Sequence, residues 1–180
     1  MGMHSSSIDR WGKLMIDTRW CRMMAAYNSE INRRIYAAAD GVDPASRRAD
    51  LGAFFGSLLG TLSHVLWADH MWMARFDGWP KPELNMRQSP EYMSDWPTLR
   101  AARDSTDARL EEWAGRAELT GDLCWMIGAN GRKMTRPRAV LVTHMFNHQT
   151  HHRGQVHALL TRLGARPGDT DLPWAVTQFD

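Results

Sequence analysis

Cysteine is nearly absent from this chain: only Cys21 and Cys124 occur, with no CxxC pair and no paired spacing. That excludes a disulfide framework and a thiolate zinc cage, and it suggests a reducing compartment. Long apolar runs are missing too. The N-terminus has no apolar signal region and no stretch approaches a membrane span, so a cytoplasmic protein is expected. Nor is there an excess of one charge. Lysine plus arginine number 22 against 20 acidic residues, a net +2. The arginine pairs Arg33-Arg34, Arg47-Arg48 and Arg136/Arg138 are dispersed rather than gathered into a stripe, so no nucleic-acid partner is expected.

What is present is helix-forming and rich in large flexible apolar groups, with twelve Met and nine Trp among 180 residues. These suit irregular spaces between helices. The length suits one domain. Residues 1–15 read as a leader outside the fold, and 16–180 as a single helical domain.

Apolar positions Ile16, Trp20, Met23, Met24, Tyr27, Ile31, Ile35 and Ala38 recur every three or four residues and predict a first long helix with one buried face. Gly41 is its expected stop, and Asp43-Pro44 opens a short helix to Arg48. A second long helix, capped by Asp50 or Ser57, ends near Phe76. Residues 78–94 hold Gly78, Pro80, Pro82 and Pro90 and read as a long crossover loop. A third helix starts at Asp95-Trp96-Pro97 and runs to about Trp113. Asp122 to Ile127 and Arg132 to Thr135, joined through Gly128-Ala129-Asn130-Gly131, predict a short β-hairpin. The fourth long helix opens at Pro137 and stops at Gly164. In the tail, Leu172, Trp174 and Phe179 are expected to pack back on the helices. The fold class is therefore all-α, a four-helix bundle with a long crossover and a short β-hairpin decoration.

Five of the eight histidines fall between His144 and His157. On a helix, His144, His148, His151, His152 and Gln155 lie within an arc of roughly 100°. Imidazoles at i and i+4 can share one metal, and neutral imidazole is the commonest metal ligand. His144/His148 and His148/His152 both satisfy the spacing. A catalytic centre wants a third protein ligand. His64, set among Ser57, Gly60, Thr61 and Ala68, is the best third ligand, and its small neighbours suggest a cavity beside it. His70 and His157 read as polar-boundary residues.

Leu62-Ser63-His64, Trp67-Ala68-Asp69, Trp72 to Phe76 and Asn147-His148-Gln149-Thr150-His151-His152-Arg153-Gly154-Gln155 together resemble the DinB (damage-inducible) family. Met24 to Asn28, Arg48 to Ser57 and Asp169 to Leu172 extend the likeness over roughly residues 20–174. The resemblance implies a metal held by His64, His148 and His152, which selects between the two pairs that spacing leaves open. It makes His144 a cavity-wall or supporting residue and has His151 face a neighbouring helix. It also implies a homodimer, and relatives that include thiol-dependent S-transferases and a maleylpyruvate isomerase using a thiol cofactor. Where an aromatic is expected near Glu30 the sequence departs from the family.

The functional expectation is a divalent-metal protein, zinc or nickel being the expected ions, that transfers a low-molecular-weight thiol to a small-molecule substrate. A metal-dependent hydrolase and a non-catalytic metal-binding or stress-response protein are the alternatives. Glu30, Asp69, Asn28 and Gln155, with His144, are candidates for hydrogen bonds behind the ligands. No residue is assigned as catalytic nucleophile or base, and both cysteines read as structural.

Overall fold

The computed structural model describes residues 16–127 and 131–179. The expected leader, and Gly128 to Asn130 of the hairpin turn, lie outside the described residues. Four long helices form the body: α1 (Thr18–Asp40), α3 (Leu58–Phe76), α4 (Trp96–Ala114) and α5 (Arg138–Arg162), with a short α2 (Pro44–Arg48) after α1. Strands β1 (Asp122–Ile127) and β2 (Arg132–Pro137) pair antiparallel, Cys124 opposite Thr135 and Trp125 opposite Met134. A short helical turn, α6 (Leu172–Ala175), follows α5. Helix α1 packs on α4 and α5, and α3 packs on α5 and more lightly on α4. The all-α bundle with its hairpin decoration is thus the observed architecture. No helix among the described residues is long and apolar enough to cross a membrane.

Local chemistry explains the boundaries. Asp17, Asp43, Ser57 and Asp95 each accept a backbone N–H of the helix they open, which satisfies donors that have no partner inside the helix. Ser57 therefore starts α3, not Asp50. Gly164, at φ 81°, ends α5 where a side chain would strain, and Ala165 N–H reaches back to Leu160 O. Gly41 ends α1 with right-handed φ, so that stop does not use glycine's conformational freedom. The crossover is not pure loop. It contains a 3₁₀ turn, Met86–Glu91, opened by Asn85 and Gln88 capping each other.

Two apolar cores fill the bundle. One gathers Ile31, Ile35, Leu58, Leu62, Leu66, Leu99, Val156 and Leu160. The other gathers Cys21, Ala25, Met73, Leu110, Trp113, Val142, Met145 and Phe146. Each fully buried Val, Leu, Ile, Met or Phe among them contributes about 1.5–3 kcal/mol by leaving water. The tail does return to the first core through Val176, Leu172 and Phe179, and Tyr27 Oη donates to Thr170 O at 2.6 Å. Trp174, expected to pack with them, is instead 76% exposed.

Between the cores, at mid-height on all four helices, lies a buried polar layer. Arg103 donates to Asp69 at 2.6 Å and stands 2.7 Å from Asp107. Asp107 also accepts from Asn28 and Asn32, Gln149 donates to Asp69, and Arg153 donates to Asn28. Burial opposes the Arg103 charge, but Asp107 and Asp69 outweigh it and hold the guanidinium above its ordinary value. Two guanidiniums against two carboxylates leave no net charge in the layer. Removing one partner strands the others. Arg103→Leu is therefore expected to cost about 3–5 kcal/mol in urea denaturation, whereas Arg33→Ala, at an exposed pair with Glu30, costs at most about 0.5 kcal/mol. A loss under about 1 kcal/mol for Arg103→Leu contradicts this account of the layer.

Candidate metal centre

His64 projects from α3, and His148 and His152 from α5, one helical turn apart. His64 and His152 are buried and His148 is half-buried. The three rings turn their Nε2 atoms toward one another. His148 Nε2 lies 3.2 Å from His64 Nε2 and 3.1 Å from His152 Nε2, and one ligand atom from each of the three falls within 4.8 Å of the others.

The outer ring nitrogens explain that orientation. Ser89 Oγ donates to Met86 O at 2.6 Å, so at 2.7 Å from His64 Nδ1 it accepts the imidazole N–H. Gln155 Oε1 accepts from His152 Nδ1 at 2.7 Å, while its amide nitrogen faces His151 Nε2 at 3.2 Å. With Nδ1 protonated, Nε2 of both His64 and His152 carries a lone pair. Burial, followed by the neighbouring imidazoles, pushes His64 down to about 3. Burial, followed by His152, pushes His148 down to about 4, and burial also lowers His152. All three rings are therefore neutral at pH 7, the form that ligates metal.

These features fit a divalent cation. Three nitrogens bound tetrahedrally to zinc at about 2.0–2.1 Å sit roughly 3.3 Å apart, close to the spacings about His148. Among the described residues the cluster has three members, and neither cysteine joins it. Cys21 is buried in the second core, its thiol pushed up to about 12 by burial, and Cys124 is exposed beside Thr135.

Aromatic rings enclose His64. Phe55 stacks on it with centroids 3.7 Å apart and stands 5.4 Å from His152; Trp67 flanks it at 5.8 Å. At Gly60 the small-residue face near His64 is filled rather than open. A Cβ on Gly60 would meet Phe55 O at 2.6 Å and Pro90 Cβ at 3.3 Å, because that face receives the Phe55 loop and the 3₁₀ turn.

The other sequence candidates disperse. Gln155 meets His152 Nδ1 through its Oε1. Asp69 and Asn28 hydrogen-bond within the polar layer and not to the histidines. Glu30 binds Arg33 and Arg34 at the surface of α1. His144 is exposed, edge-on to Trp72, with its ring 5.9 Å from that of His148. His151 is exposed, its Nε2 beside Gln155 of its own helix. His157 meets Gly168 O. Ser89 and Phe55 were not among the candidates. The Asn85/Gln88 capping pair was the signal for the 3₁₀ turn that carries Ser89, but nothing in the sequence aims that turn at His64.

Three convergent imidazoles on one helix-helix seam make this a helical bundle with a candidate metal centre between two of its helices. The chain belongs to the DinB family, whose model matches residues 15–178. No curated protein and no solved structure matches it.

His70, outside the cluster, is wedged between Tyr92 Oη and Thr106 Oγ1, each at 2.8 Å. Burial pushes it from 6.5 down to about 4. The unfolded chain therefore takes up this proton first as pH falls. The stability His70 supplies is full above pH 6.5 and is lost as pH drops toward 4. Denaturation series across that range are expected to show a shallower decline for His70→Gln than for the parent. Equal slopes contradict the burial argument.

Proposed function

We propose that the chain is a metal-dependent enzyme that binds one divalent cation, zinc or nickel, through His64, His148 and His152, and transfers a low-molecular-weight thiol to a small electrophile. The single observation that carries this reading is the convergence of three neutral imidazole nitrogens, two of them with their N–H groups tied outward. When bound, such a cation supplies Lewis acidity that lowers the pKa of a coordinated water or thiol. Three protein ligands, where closed structural zinc sites have four, favour a reactive centre over a structural one. The family resemblance supports thiol transfer in particular.

The chain's own residues supply the positioning. Ser89 and Gln155 hold the tautomers that aim Nε2 inward, and loss of such partners typically weakens metal binding 10–100-fold. Phe55 and Trp67 shield His64 from water and hold its ring plane. The half-buried His148 marks the side open to a small molecule.

Metal content and thiol chemistry test this directly. Untagged parent protein is expected to carry about one equivalent of metal, and His64→Ala and His152→Ala to carry almost none. Ser89→Ala should bind zinc about 10–100-fold more weakly in a chelator competition. Metal-loaded parent should consume a low-molecular-weight thiol in the presence of an electrophile, and His152→Ala should not. Unchanged metal in both histidine variants contradicts the site. A loaded protein that consumes no thiol with any electrophile of a panel contradicts the transferase.

A further inference from the structure

A cleft of about 920 Å³ lies beside the histidine cluster, bounded by Trp67 and Met71 of α3, residues 81–87 of the crossover and Ile127 of β1. Its size falls within the range of small-molecule sites. The wall is mainly apolar: Trp67, Met71, Pro82, Leu84, Met86 and Ile127. Trp67 is fixed in place, since its indole N–H donates to Leu84 O at 2.8 Å. A fixed indole flanked by adaptable thioethers suits a flat apolar body.

Lys81, Glu83 and Arg87 also line this cleft. Two cations against one carboxylate leave a positive wall. Among the described residues none of the three takes part in a salt bridge, so the excess charge is available to a ligand.

Two contacts join the cleft to the cluster. Trp67, which lines it, flanks His64. Met86, which also lines it, accepts through its carbonyl the hydrogen bond that orients Ser89 toward His64. An apolar body lying on Trp67 is one ring away from the imidazoles.

We propose that this cleft binds the organic substrate of the metal centre, an amphipathic molecule with a flat apolar body against Trp67, Met71 and Met86 and one anionic group at Lys81 and Arg87. The assignment of the occupant as substrate rests on the metal-centre reading above; the cleft's preference for an amphipathic anion does not.

The test uses two dyes with one ring system. 1-Anilinonaphthalene-8-sulfonate carries an anion, and N-phenyl-1-naphthylamine is its neutral counterpart. Each is titrated by fluorescence into zinc-loaded full-length protein, with metal content measured on every sample. The sulfonate is expected to bind one site in the parent. Met86→Gln, at a side chain 56% exposed and so tolerant of change, removes apolar contact without adding charge and should weaken both dyes at least about threefold. The double variant Lys81→Ala/Arg87→Ala should weaken the sulfonate about three- to tenfold and shift the neutral dye less than about twofold. His64→Ala should lose metal and keep sulfonate binding, which separates this proposal from the metal reading. Affinity for both dyes within about twofold of the parent in both Met86→Gln and Met71→Gln overturns the cleft assignment. Equal weakening of the two dyes by the charge variant overturns the anionic preference.

Discussion

Arg103 lies between Asp69 and Asp107 with 1% of its side chain exposed, and the geometry of the bundle depends on that arrangement. A guanidinium sealed from water is tolerable only where carboxylates meet it. Those carboxylates come from α3 and α4, and the amides and second guanidinium that complete the layer come from α1 and α5. Sliding any one helix by a turn would leave charges facing hydrocarbon. Apolar contacts alone tolerate such slips far better, so the two cores supply the stabilisation and the layer selects the register.

The register matters because of what sits next to it. On α5, Gln149 and Arg153 enter the layer, and the residues immediately before each, His148 and His152, point about 100° away toward α3. Locking Gln149 to Asp69 therefore also fixes where the two imidazoles meet His64. From the other side, the crossover sets the tautomer of His64 through Ser89, and the Phe55 loop covers its ring face. Helices thus provide the spacing of the nitrogens and, through Gln155, the tautomer of His152, while loops provide the tautomer of His64 and the Phe55 cover. The same crossover segment walls the adjacent cleft, so one stretch of chain bears both on how His64 is held and on what can lie beside it.

Much of this was legible in the sequence, for identifiable reasons. Caps such as Asp43 and Asp95, the hairpin strands and the spacing of His148 and His152 are local signals, each decided within a few residues. His64 stood out as the third ligand by its small neighbours, and the family resemblance chose His148 and His152 over His144 and His148. The buried layer was not legible. Arg103 and Asp107 at i and i+4 look like an ordinary solvated pair, and only the arrival of Asp69 and Asn32 from distant helices makes them interior. Asp69 and Asn28 were for the same reason assigned to the wrong neighbours. Ser89 and Phe55 escaped notice because a loop residue's partner depends on how the loop crosses the bundle. Trp174 misled in the opposite sense, since a large ring in a tail can remain in solvent when Val176 fills the available gap.

The central claim is that the three inward-facing imidazoles share one cation. X-ray absorption at the metal edge of protein purified without a tag measures this most directly. The account predicts three imidazole nitrogens at about 2.0–2.1 Å for zinc, with any remaining ligand a light oxygen or nitrogen donor and no sulfur. A sulfur shell, or a spectrum fitted by one imidazole or none, would contradict it.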